Sequence, residues 1–167
     1  LAAYLGLRSS DICNLKFDNI DWESSYIKIV QQKTERPLNL PLLPEVGNAI
    51  IDYLKYGRPQ SNDPHVLLNA NPPYYPMSST GVYQVVSQAF KRAGIDISNR
   101  RHGAHSLRHS LASRMLEGQT SMPVISEALG HTNTNSTMYY LRVDITSLKS
   151  CQMDTTPVKE QFYLQFA

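Results

Sequence analysis

The spacing of apolar residues changes twice along the chain, and the changes mark out its elements. Leu1 to Leu7 is a short apolar run that reads as the end of a helix. Gly6 supplies a cap or turn there, and a second helix opens at Ser9, Ser10 and Asp11, carrying Ile12 and Leu15 inward. From Ile20 to Leu43 the spacing drops to two. Tyr26, Ile27, Lys28, Ile29 and Val30 alternate, the polar stretch Gln31 to Arg36 follows, and Leu38, Asn39 and Leu40 alternate again. That pattern predicts a β-hairpin with Lys33 at or near its tip.

Helical spacing returns at Pro44 and Glu45. Val46, Ile50 and Leu54 recur every four residues to about Tyr56, and Gly57 and Pro59 close the element. Gln60 to Pro76, broken by Pro64, Pro72, Pro73 and Pro76, has no helical period and reads as a connection with room for a short strand at Val66 to Leu68. Ser78, Ser79 and Thr80 offer N-caps for a helix through Ala93, with Val82, Val85, Val86, Ala89 and Phe90 as its apolar stripe and Gly94 at its end. Further helices are predicted from His105 to Glu117, closed by Gly118, and after Pro123, burying Val124, Ile125, Ala128 and Leu129 and stopping at Gly130. A last one, capped from within Thr132 to Asn135, carries Thr137 to Leu141. The expected fold class is mainly α (α+β): a helical domain with a small antiparallel β-sheet.

The chain's 167 residues suit one domain with one main core. An apolar content of 41% and a charged content of 18% are ordinary for a globular protein, and no stretch is long and apolar enough to span a bilayer. Leu1 to Gly6 lacks a basic leader, so a signal peptide is not indicated. A start inside a helix and without Met leads us to expect a piece of a longer chain whose upstream part is missing. Cys13 and Cys151 stand far apart without CxxC spacing. Neither a disulfide framework nor a zinc site is therefore expected, and the cytoplasm is the expected location. A net charge of +2 says little, but its distribution says more. Lys91, Arg92, Arg100, Arg101, Arg108 and Arg114 face only Asp96 across that stretch, with His102, His105 and His109 interleaved. Such a cluster is either a solvated basic face or a surface for phosphate.

Five short pieces carry the candidate chemistry. Gly6-Leu7-Arg8-Ser9-Ser10-Asp11-Ile12-Cys13-Asn14-Leu15 is the first, Lys33 in the hairpin turn the second, and His105-Ser106-Leu107-Arg108-His109 the third. Leu129-Gly130-His131 is the fourth, and Tyr140, nine residues after His131, the fifth. In order and spacing, from Leu5 to about Val143, the set resembles the catalytic domain of the tyrosine recombinase, or phage integrase, family. The first piece resembles that family's Gly-Leu-Arg-x-x-Glu-Leu-x-x-Leu box, with Asp11 in place of the commoner Glu. The resemblance implies a site-specific recombinase that cleaves and rejoins DNA strands through a 3′-phosphotyrosine, in phage or mobile-element integration and excision. It implies double-stranded DNA as partner, a homotetramer on paired sites, accessory DNA-bending proteins, and a tail of about 144–167 docking on a neighbouring protomer. Nucleotide cofactors and metals are not implied.

The same residues make chemical sense together. Cleaving a phosphodiester requires a nucleophile, cations for the non-bridging oxygens and a proton donor for the departing 5′ oxygen. Arginine suits the cationic role because its planar fork gives two hydrogen bonds and stays charged, which nominates Arg8 and Arg108. His105 and Arg108, three apart on a helix, share a face, while Leu107 and Leu111 turn to the core. His131, following Gly130, is a candidate hydrogen-bond donor to phosphate. Asp11 is read as a buttress that orients an arginine, with a direct part in proton handling as the alternative. Lys33, on a long flexible stem, can protonate the leaving oxygen, with Lys28 and Arg36 as neighbouring alternatives. Tyr140, whose unperturbed pKa is near 10, requires a base or a strong cationic field, and His105 is the favoured base. Adjacent Tyr139 is the alternative nucleophile.

His105 and His109 also stand at the i, i+4 spacing of zinc hydrolases. No carboxylate lies between them, and Arg108 would set a fixed positive charge beside the ion, so His109 is read as a support for Arg108. Two rival functions remain: a type IB topoisomerase that nicks and closes duplex DNA, and a non-catalytic DNA-binding regulator that keeps the fold.

Overall fold

The computed structural model describes residues 1–131. The helix expected around Thr137 to Leu141, with Tyr139 and Tyr140, and the tail beyond it lie outside the described residues.

Two short helices open the chain, α1 (Ala2–Leu5) and α2 (Ser9–Cys13). Gly6 separates them in the left-handed conformation at φ 61°, and its backbone passes so close to the later chain that a Cβ there would meet Leu129 Cδ2 at 2.7 Å. A 3-10 turn, Phe17–Asn19, leads into a meander of three antiparallel strands, β1 (Ile20–Asp21), β2 (Tyr26–Val30) and β3 (Pro37–Pro41), in the order β1-β2-β3. The expected hairpin is present, and β1 is an addition too short for alternation to reveal. Register sets Ile27 opposite Leu40 and Ile29 opposite Leu38, all four buried, so one face is apolar and the other wet. Edge strand β3 begins and ends with proline, which removes donors that another strand would otherwise use.

Helix α3 (Pro44–Tyr56) starts on a proline and buries Val46 and Ile50. Helix α4 (Ser79–Arg92) is capped by Ser78, whose hydroxyl accepts from the Gly81 amide at 3.2 Å. Between them the connection forms only isolated bridges, Lys16 with His65 and Leu68 with Pro76, and not a strand. Arg58, unnoticed in the sequence, organises it by donating to the carbonyls of Ser61, Asp63, His65 and Val66 while its guanidinium lies over the Phe17 ring. Helices α5 (Ala104–Glu117) and α6 (Met122–Leu129) complete the described chain.

Two expected apolar stripes need correction. On α4 only Val82 is buried, whereas Val85 is 56% exposed and Ala89 is exposed too. On α6, Ile125 and Leu129 are buried and Val124 faces out. A main core gathers α1 to α3, the sheet and Val82 of α4, and a smaller cluster of Ala112, Ile125 and Leu129 holds α6 to α5. Between these clusters the buried face of α5 is Ala104, Arg108 and Ala112. Leu107 and Leu111 pack on either side, only partly buried, so a charged residue occupies the central inward position.

Candidate active site

Arg108 is 4% exposed. Its Nη1 donates to Gly6 O and its Nη2 to Leu129 O, both at 2.6 Å. The fork therefore clamps the turn after α1 to the end of α6, a geometry lysine could not reproduce. Arg8, at the N-cap of α2, reaches the same place: its Nη2 donates to Gly130 O at 3.3 Å. Residues separated by a hundred positions thus converge on two consecutive carbonyls, and His131 is the next residue along. Arg8 Nη1 is buried without a hydrogen-bond acceptor among the described residues and stands 4.0 Å from Asp11 Oδ2. A buried guanidinium donor so placed is costly unless an anion meets it.

The environment of His131 records this crowding of cations. Burial, then the charges of Arg108, Arg8 and His109, push its pKa down to about 4, so near neutrality the ring is uncharged and can donate one hydrogen bond. Burial also lowers the pKa of His105, with Arg108 and Arg101 acting in the same direction. A neutral His105 is able to accept a proton. Its Nε2 lies 2.7 Å from His109 Nε2, with the rings edge to face. His109 is thus a partner of His105 on the helix surface, beyond the support of Arg108 expected from the sequence. Burial, His105 and Arg108 lower its pKa as well.

Asp11 does more than flank Arg8. Its Oδ1 accepts from the Gln32 amide at 3.0 Å, tying α2 to the turn that carries exposed Lys33. Gln31, which the sequence pattern places in the polar connector, is completely buried and bonds to Leu129 O and Thr34. A signal for it existed: Ile27, Ile29 and Gln31 continue one period-two face. Beside His105 and His109 a cleft opens toward Tyr83, Arg100, Arg101 and His102. Tyr140 lies outside the described residues. The structure thus brings Arg8, Asp11, Arg108 and His131 together, sets His105 and His109 alongside, and ties the Lys33 turn to them.

A sequence model of the phage integrase family matches residues 1–146. This chain belongs to the phage integrase family. Among integrase relatives, the integrase/recombinase y4gC of Sinorhizobium fredii is 32% identical over 154 residues, covering 92% of this chain and 79% of the relative. Another from the same organism, y4rA, is 38% identical over 149 residues, covering 89% of this chain and 36% of the relative. Tyrosine recombinase XerA of Pyrococcus furiosus is 31% identical over 145 residues, covering 86% and 48%. The chain therefore spans half or less of two of these three integrase relatives. A crystal structure of XerA recombinase superposes with a TM-score of 0.73 at 21% identity over 90% of this chain and 53% of that one. A lambda integrase dimer bound to a core site gives 0.64 at 21% identity over 95% and 53%. These likenesses establish the integrase catalytic fold, mainly helical with a small three-stranded antiparallel sheet.

Proposed function

We propose that this chain is the catalytic domain of a site-specific tyrosine recombinase acting on double-stranded DNA in the integration or excision of a mobile element. The relatives named integrase/recombinase and tyrosine recombinase support that reading, as does the lambda integrase neighbour, a dimer bound to its core site. The observation that carries it is the convergence of Arg8 and Arg108 on the Leu129–Gly130 turn beside His131. Two fixed positive charges and a neutral donor at one point suit the two non-bridging oxygens of a phosphate in transit between esters.

In the proposed step the Tyr140 oxygen attacks phosphorus and the bond from phosphorus to the 5′ oxygen breaks. The phenolic proton passes to His105, and the leaving oxygen takes a proton from the Lys33 ammonium. A 3′-phosphotyrosine and a free 5′ hydroxyl result. Attack by the 5′ hydroxyl of a partner strand reverses the step, and since the ester retains the energy of the broken bond, no nucleotide or metal is consumed. Asp11 orients Arg8, and His109 partners His105. Residues 1–167 form this catalytic domain, with an upstream DNA-binding domain belonging to the longer protein. The stretch of about 144–167 docks on a neighbouring protomer of a tetramer assembled on paired sites, with DNA-bending proteins as accessories, in the cytoplasm.

The test begins with a randomised library of nicked duplexes, from which the protein captures covalently those it can cleave. Tyr140→Phe is expected to yield no adduct and to retain DNA binding. Adduct that persists in Tyr140→Phe and disappears in Tyr139→Phe would transfer the nucleophile to Tyr139, and no adduct with the unaltered protein would refute the recombinase reading.

A further inference from the structure

Gln31 sits where strand β2 runs into the hairpin turn, on the same face as Ile27 and Ile29, and it is completely buried. For stability alone an apolar side chain would serve this position, since a buried amide gains little beyond recovering the water bonds it gave up. What distinguishes the amide is its two-sided bonding. Nε2 donates to Leu129 O at 3.3 Å, and Oε1 accepts from Thr34 Oγ1 at 2.7 Å. Its backbone closes the turn as well, donating to Arg36 O and accepting from Glu35 N. The amide packs directly on the Gly130 backbone, where a Cβ would come within 2.6 Å of Gln31 Cδ. Leu129 O also accepts from Arg108, and the next carbonyl from Arg8. The hairpin and both arginines are therefore anchored to one turn of backbone, and Asp11 holds the hairpin from its other side through Gln32.

We propose that Gln31 is a positioning residue for proton transfer: by joining Thr34 to Leu129 it holds the Lys33 turn in register with Arg8, Arg108 and His131. The proposal rests on Lys33 being the proton donor. When the bond from phosphorus to the 5′ oxygen breaks, the electron pair leaves on oxygen and takes a proton from the Lys33 ammonium. If the turn drifts, that proton arrives late while phosphate binding is kept.

The experiment compares a captured nicked duplex with the same duplex carrying sulfur in place of the bridging 5′ oxygen, which departs as a thiolate and needs no proton. Full-length protein is used, with Gln31→Met, Thr34→Val and Lys33→Ala. Gln31→Met is expected to slow cleavage of the oxygen duplex by about tenfold or more, short of the full ~10²–10⁴-fold that outright loss of a general acid costs. On the sulfur duplex it should cleave at nearly the unaltered rate. Lys33→Ala should show the same pattern more deeply. Failure of sulfur to restore Lys33→Ala would refute the donor role of Lys33 itself. Restoration of Lys33→Ala without restoration of Gln31→Met, or an unaltered rate of Gln31→Met on oxygen, would leave Gln31 a purely structural residue. Should Gln31→Met fail to fold, Thr34→Val, which breaks only the bond on the turn side, answers by the same criteria.

Discussion

At the scale of single residues, the decisive fact is that Arg108 occupies a core position and commits two donors to backbone carbonyls 102 and 21 residues away. Lysine there keeps the charge and loses the fork. Arg108→Lys is accordingly expected to slow adduct formation on the order of a thousandfold, with the fold retained by circular dichroism. A rate within a few-fold of the unaltered protein would show that charge alone suffices. His131 makes a separate prediction in the protein without DNA. Its folded pKa of about 4 lies below the roughly 6.5 of an unfolded histidine. Between those values the unfolded chain takes up a proton that the folded chain refuses. Stability is thus full above the unfolded value and declines as pH falls toward the folded one. His131→Asn should flatten that part of a plot of melting temperature against pH, and an unchanged slope would contradict the burial of the ring among cations.

Among the elements, helix ends and hairpin strands were plain in the sequence because local chemistry sets them. Pro44, Ser78, Gly118 and Gly130 all act where the pattern of caps and breakers predicts. Which way a helix faces was less plain. Val85, Ala89 and Val124 belong to good apolar stripes and still point outward, because the core reaches only part of α4 and α6. On α5 the opposite occurs: an arginine takes the inward place that hydrophobic patterning assigns to leucine. Gly130 offers a test at this scale. It is left-handed at φ 60°, and a Cβ added there would run into the side-chain amide of Gln31. Gly130→Ala combines left-handed strain with that contact and should cost about 1–3 kcal/mol, measured by urea unfolding. Cleavage should fall further than the reduced stability explains, since Gln31 and His131 are both displaced. Equal stability would show that the turn can relax.

At the scale of the whole molecule, DNA affinity should come mainly from phosphate contacts along the cleft of Arg100, Arg101 and His102. Replacing Arg100 and Arg101 together by Gln should reduce the slope of log affinity against log salt by about one for every phosphate that the variant no longer neutralises, on any duplex sequence. A slope that stays the same would place the phosphate path elsewhere. The sequence by itself determined the hairpin, the longer described helices and the fold class, and nominated the reactive residues, since helical and strand periods, caps and motif spacing are local properties of the chain. Only the tertiary structure decided that Arg8, Arg108 and Gln31 meet around one turn, with Asp11 beside Arg8. Those contacts join residues up to 122 positions apart, and they arise from packing α5 against both α1 and α6, a condition that no local window of sequence contains.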